Sequence, residues 1–184
     1  MSWSLLPNTL CVLRIALVPP TVWALGAARY RTALALVVLA ALTDALDGFL
    51  ARRFGWGSRV GSVLDPLADK VMLVSLFLAL GWLGLLPFWL TALVVLRDVV
   101  IVVGAIAYQV LVGGLKMEPT VAGKATTAAQ LLLLGVVVGR LAGVPLPEGL
   151  VVTLIGIAGA VTLWSGVDYV YRWAQRAIAA SRGR

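Results

Sequence analysis

Apolar residues run along this chain in six long blocks, at about 8–27, 32–53, 60–81, 86–111, 121–142 and 149–172, with polar residues gathered in short gaps. Each block reaches the roughly 20 residues that a helix needs to cross the hydrocarbon of a bilayer. Turn-forming residues fall between the blocks. Gly26 and Arg29-Tyr30-Arg31 close the first, and Gly55-Trp56-Gly57-Ser58 the second. Gly84 and Pro87 mark the next gap, then Gly113 through Pro119, then Gly143 through Pro147. Trp3, Trp23, Trp56, Trp82, Trp89 and Trp173 mostly fall near block ends, where interfacial aromatics collect. The expected architecture is all-α, a polytopic bundle of six transmembrane helices in one domain spanning residues 1–184.

Composition strengthens that reading. The chain is 61% hydrophobic and 12% charged, with a mean hydropathy of +1.02, far from ordinary globular usage. Its single cysteine, Cys11, excludes an internal disulfide. With no histidine, imidazole is excluded as a base and as a metal ligand. Any catalysis must run on carboxylates, lysine, tyrosine or hydroxyls. The first segment lacks a basic leader, and Arg14 lies inside the first apolar block, so it reads as a retained helix.

The net charge of +7 does not call for nucleic acid, because basic residues mark cytoplasmic loops and meet anionic lipid headgroups. Six spans place both termini on one side, together with Arg52, Arg53, Arg59, Lys116, Lys124, Arg172, Arg176, Arg182 and Arg184. The other side holds only Arg29, Arg31 and Arg140. This bias puts both termini on the cytoplasmic side. Arg14, Lys70 and Arg97 remain within spans.

Against this background, four of the eight acidic residues sit in one stretch, "LTDALDGFLARRFGWGSRVGSVLDPLADK". Asp44, Asp47, Gly48 and Ala51 share an arc of about 100° on the second helix, with Arg52 at its edge. Gly61, Asp65 and Asp69 form an i, i+4, i+8 row on the third. A short turn makes the helices antiparallel neighbours, so the acidic faces can meet. Carboxylates brought together at membrane depth repel and lose solvation. Hard divalent cations would relieve this, and an all-oxygen donor set points to Mg²⁺, Mn²⁺ or Ca²⁺. Two such ions suit phosphoryl chemistry. Two other readings stay open: structural salt bridges to Arg52, Arg53, Arg59 and Lys70, or a cation or proton pathway in a transporter.

The stretch resembles the signature of the CDP-alcohol phosphatidyltransferases. Asp44-x-x-Asp47-Gly48-x-x-Ala51-Arg52, then eight residues, then Gly61-x-x-x-Asp65-x-x-x-Asp69 fits it at every fixed position. "PNTLCVLRIALVPP", "LLPFWLTALVVLRDVV" and "EPTVAGKATTAAQ" are similar to further segments of the family's glycerophospholipid branch. The resemblance implies a six-helix membrane enzyme, in the cytoplasmic membrane if bacterial, with its active site open to the cytoplasm. Such enzymes move a phosphatidyl group from CDP-diacylglycerol to an alcohol and release CMP. It further implies two divalent cations, Mg²⁺ or Mn²⁺, held by Asp44, Asp47, Asp65 and Asp69. Asp69 would also be the general base. Gly48, Arg52, Ser58, Asn8 and Cys11 would contact the CDP moiety, although Cys11 stands where relatives usually carry Thr or Ser. A homodimer is implied in the same way.

For the acceptor, the resemblance leaves two members of the branch. CMP-forming cardiolipin synthase, which uses phosphatidylglycerol, is favoured by Arg97-Asp98, Pro119-Thr120 and Gly123-Lys124…Thr127…Gln130. It is also favoured by the lack of a second arginine after Arg97, since a phosphomonoester dianion needs several cations. The alternative is phosphatidylglycerophosphate synthase, with glycerol 3-phosphate, which "TLWS" before Asp168 resembles at least as closely. Arg97, Lys124 and Arg59 are the candidate acceptor-binding cations. A mutual salt bridge for Arg97 and Asp98, and a snorkelling role for Lys124, are the structural alternatives. Asp168 and Tyr169 read as structural. A transporter with duplicated halves is not favoured, because no internal repeat is visible.

Overall fold

The computed structural model describes the backbone of residues 6–54, 61–111 and 121–182, and the side chains of residues 12–46, 68–104, 121–173 and 175. Six helices are present: α1 (Leu6–Gly26), α2 (Tyr30–Phe54), α3 (Gly61–Trp82), α4 (Phe88–Leu111), α5 (Val121–Leu141) and α6 (Glu148–Arg182). The all-α expectation holds, and helix limits lie within a few residues of the apolar blocks. The exception is α6, which continues to Arg182 rather than stopping near 172. Local pairs one turn apart support the continuation. Arg172 Nε donates to Asp168 Oδ1 at 2.8 Å, and the Tyr169 and Trp173 rings stack with centroids 5.4 Å apart.

Among the described residues, three helices close with the same backbone device. At the end of α3 the Leu85 amide bonds the Leu80 carbonyl at 2.8 Å and the Gly84 amide bonds Gly81 at 3.1 Å, with Gly84 at φ 70°. At the end of α1 the Arg29 amide bonds the Ala24 carbonyl at 2.8 Å and the Ala28 amide bonds Leu25 at 3.1 Å. At the end of α5, Val144 bonds Gly139 and Gly143 bonds Arg140, both at 3.0 Å. These are Schellman caps, which need a left-handed residue at the turn. Gly143 supplies it with φ 94°, whereas Ala28 adopts φ 54° against its own preference.

The chain divides into two compact units. The first comprises α1, α2, α3 and the last turns of α5 with the loop to Leu146. In it α1 packs on both α2 and α3. Its buried stripe is Arg14, Leu17, Val18, Thr21, Ala24 and Leu25, the i, i+3, i+4, i+7 rhythm of one helix face. On α3, Ala68, Met72, Leu73, Leu76, Phe77 and Leu80 make the corresponding ridge. α2 contributes Ala33 and Ala40, small enough for close approach of helices.

The second unit comprises α4, the first part of α5 to Leu133, and α6. Its core is unusually polar. Buried Arg97 donates from Nη1 to Asp98 Oδ1 at 2.7 Å and from Nη2 to Ser165 Oγ at 2.8 Å. Gln130 Nε2 donates to Thr162 Oγ1 at 3.0 Å, and Thr126 Oγ1 to the Val161 carbonyl at 3.1 Å. These bonds join α4 and α5 to α6. In apolar surroundings, polar groups stay inside only when partnered in this way. Close approach of α4 to α6 depends on glycine. A Cβ on Gly159 would lie 2.9 Å from the Trp89 ring, and one on Gly166 would lie 3.7 Å from Arg97 Cγ.

Large apolar side chains point outward in both units, among them Trp23, Leu42, Leu46, Leu96, Val102, Leu132, Val152 and Trp164. Among the described residues, two helical segments are long and apolar enough to cross a membrane by themselves, Val121–Leu141 and Glu148–Trp173, and Val12–Gly26 is a shorter apolar helix. That is fewer than the six expected. The described side chains of α2, α3 and α4 run only over 30–46, 68–82 and 88–104, each too short a stretch to be judged as a full span.

Four outcomes follow for the second unit, all measured by unfolding of the purified protein in detergent. Arg97→Ala breaks the ion pair of a buried carboxylate and costs about 3–5 kcal/mol, while Ser165→Ala, which removes one charge-assisted hydrogen bond, costs about 1.5–3 kcal/mol. Gly159→Leu forces Trp89 aside and costs about 1–3 kcal/mol. Gly156→Leu, at a position with nothing within 4 Å, leaves stability nearly unchanged.

Candidate active site

The centre of the first unit is an arginine facing two carboxylates. Arg14 lies on the buried stripe of α1, where the helical period demands an inward residue, and is 2% exposed. Its Nη2 donates to Asp44 Oδ1 on α2 at 2.7 Å. Its Nη1 donates to Asp69 Oδ1 on α3. One guanidinium fork thus joins three helices, using one oxygen from each carboxylate. The Arg14 Nε is buried without a hydrogen-bond partner among the described residues. In contrast, the Asp44 and Asp69 side chains are 52% and 46% exposed. The carboxylates therefore stand at an open edge, with the cation behind them.

Two of the four expected metal ligands, Asp44 and Asp69, are brought together from different helices. Asp47, Gly48 and Arg52 follow on α2, and Asp65 precedes Asp69 by one turn on α3. The side chains of those positions, and of Asn8 and Cys11 on α1, lie outside the described residues, as do Ser58 and Arg59 entirely. For that reason no group of three or more ligating side chains is found among the described residues. The part that is described fits a hard divalent cation in chemistry. Two accessible carboxylates converge beside a single guanidinium, which leaves the cluster net negative, and every donor is oxygen.

Salt bridging of the aspartates, weighed from spacing alone, does occur among the described residues through Arg14, whereas the side chains of Arg52, Arg53 and Arg59 lie outside them. Arg14 lies 30 residues before Asp44 and 55 before Asp69. The sequence carried one signal for this role, a lone arginine set inside an apolar helix. Of the candidate acceptor cations, Arg97 forms the ion pair with Asp98 weighed as its structural alternative, and also binds Ser165. Lys124 is exposed one turn into α5. Ser165 and Gln130 were not singled out for the contacts they make. A hydroxyl and an amide inside apolar blocks are the only trace they leave in the sequence.

Comparison with known proteins places the chain in a family. Residues 4–166 match the sequence profile of the CDP-alcohol phosphatidyltransferase family. The chain is 36% identical over 174 residues to a probable phosphatidylglycerophosphate synthase of Mycobacterium tuberculosis, covering 91% of this chain and 80% of that protein. It is 35% identical over 147 residues to the CMP-forming cardiolipin synthase of Rattus norvegicus, covering 71% of this chain and 48% of that protein. Over 104 residues it is 36% identical to the CMP-forming cardiolipin synthase of Streptomyces coelicolor, covering 53% of this chain and 48% of the relative. The chain belongs to the CDP-alcohol phosphatidyltransferase family, in its glycerophospholipid branch, and is a CDP-diacylglycerol-dependent phosphatidyltransferase.

Proposed function

We propose that this enzyme transfers the phosphatidyl group of CDP-diacylglycerol to glycerol 3-phosphate, forming phosphatidylglycerophosphate and CMP. The observation that carries this reading is the extent of the match. Similarity to the mycobacterial phosphatidylglycerophosphate synthase runs along 91% of this chain and 80% of that protein, against 71% and 48% for the rat cardiolipin synthase. This reverses the preference drawn from the sequence for phosphatidylglycerol as acceptor. That preference leaned on the missing second arginine of α4, but an anion site gathers cations from several elements. Within α4, Arg97 is already committed to Asp98 and Ser165. Lys124 and Arg59 are the proposed partners of the acceptor phosphate.

In this reading Asp44, Asp47, Asp65 and Asp69 hold two divalent cations, Mg²⁺ or Mn²⁺. Such ions supply charge neutralisation for the pyrophosphate and polarise the reacting oxygens. Arg52 and Gly48 bind the nucleotide, with Asn8, Cys11 and Ser58 near it. Asp69 takes the proton from the acceptor hydroxyl, and its half-exposed carboxylate leaves that hydroxyl room to approach. The alkoxide attacks the phosphorus bearing the diacylglycerol. A new P–O bond forms, the pyrophosphate bridge breaks, and CMP carries away the bridging oxygen.

All six helices cross the membrane in this account, with both termini and the acidic edge on the cytoplasmic side. The outward apolar side chains of both units support that placement, since lipid is the solvent that suits them. Homodimerisation follows the family resemblance and is checked by the mass of the purified enzyme in detergent.

The test is the purified protein given labelled CDP-diacylglycerol with glycerol 3-phosphate, phosphatidylglycerol or inositol phosphate in parallel. Phosphatidylglycerophosphate forms with the first alone, and needs added Mg²⁺ or Mn²⁺. Cardiolipin from phosphatidylglycerol would overturn the acceptor assignment. Asp69→Asn lowers turnover by about 10²-fold or more while the protein still elutes as a folded species. Unimpaired turnover would remove Asp69 as the base.

A further inference from the structure

Arg14 performs no step in the proposed reaction, yet its guanidinium occupies the point where the two acidic helices meet. It is the fully buried member of the cluster, and both of its terminal nitrogens are spent on Asp44 and Asp69. A side chain that only filled the α1 stripe would be apolar, as Leu17, Val18 and Leu25 are. A side chain that only offset charge would not need a fork reaching two helices at once.

We propose that Arg14 is a built-in cation that competes with divalent ions for Asp44 and Asp69. Without divalent ions it holds the two carboxylates together and suppresses their repulsion. When ions load, its charge opposes them, so Arg14 keeps ion affinity below what the bare acidic cluster would reach. The physical reasoning is electrostatic. A monocation beside two carboxylates lowers their attraction for a dication, and the burial of Arg14 shields this effect from solvent and salt. The oxygens that accept from Arg14 belong to carboxylates already half-exposed, so an incoming ion has access to them. The consequence is a site that is ordered before loading and exchanges its ions readily. This inference rests on the divalent-ion reading of the site, and deepens it.

The test uses binding and stability rather than turnover. Purified wild type, Arg14→Gln and Arg14→Lys are titrated with Mn²⁺ in detergent, with free ion read from its electron paramagnetic resonance signal. Melting is followed in parallel with EDTA and with saturating Mn²⁺. Arg14→Gln is expected to bind Mn²⁺ about ten-fold more tightly, because one opposing charge is gone. It should melt well below wild type in EDTA and recover most of the difference with Mn²⁺. Arg14→Lys keeps the charge but loses the two-armed grip, so its affinity shifts in the same direction by less. An Arg14→Gln affinity that is unchanged or weaker overturns the proposal, as does a melting loss that is equal in EDTA and Mn²⁺. If Arg14→Gln does not fold even with Mn²⁺, Arg14→Lys decides: tighter binding supports competition, and unchanged or weaker binding overturns it. Asp44→Asn and Asp69→Asn separate the two levels. Mn²⁺ binding by wild type that these variants weaken upholds the ion site whatever Arg14 does, whereas no Mn²⁺ binding by wild type removes both.

Discussion

A guanidinium buried in an apolar helix bundle must find negative charge, and that requirement organises the first half of this protein. Burying an ion costs several kcal/mol before any partner is counted, and one exposed carboxylate would return little of it. Arg14 meets the requirement with two carboxylates from two different helices. The consequence is geometric as much as energetic. α1 can accept only one rotation, the one that turns Arg14 inward along with Leu17, Val18, Thr21, Ala24 and Leu25. α2 and α3 are then set so that Asp44 and Asp69 reach the same fork. Apolar packing alone would tolerate helices sliding past one another, whereas a bidentate contact from a single residue does not.

The protein carries a second inward arginine, and comparing the two shows how burial separates structure from function. Arg97 and Asp98 are both shut away, with 6% and 11% of their side chains exposed, and Ser165 engages the second nitrogen. The pair is neutral, enclosed and joined by hydrogen bonds to α6, which suits a structural tie. At Arg14 the cation is equally buried, but its carboxylates are open by about half. That asymmetry leaves acidic oxygens facing outward with a positive charge behind them. The proposed loading of divalent ions rests on that asymmetry.

Six helices were legible in the sequence because each apolar block exceeds the length of an ordinary core helix and ends in glycine, proline or charge. The expected last span of about 149–172 matches the apolar stretch Glu148–Trp173, and α6 continues beyond it to Arg182, which hydrophobicity alone does not signal. That Asp44 and Asp69 could approach one another was legible, because helical spacing fixes an acidic face on each helix and a short turn makes the two helices neighbours. The part played by Arg14 was not. Periodicity places Arg14 on an inner face but does not say which residue, 30 or 55 positions away, will meet it. The bonds from Gln130 to Thr162 and from Arg97 to Ser165 were hidden for the same reason.

The central claim is that Arg14 and the acidic pair act as one unit, and a double-mutant cycle measures this directly. Unfolding free energies of wild type, Arg14→Gln, Asp69→Asn and the double variant are compared in EDTA. The account predicts that the two losses fail to add, with a coupling of about 1–3 kcal/mol, because removing either partner already breaks the contact. Losses that add to within about 0.5 kcal/mol would show that Arg14 and Asp69 act independently, and would contradict the account.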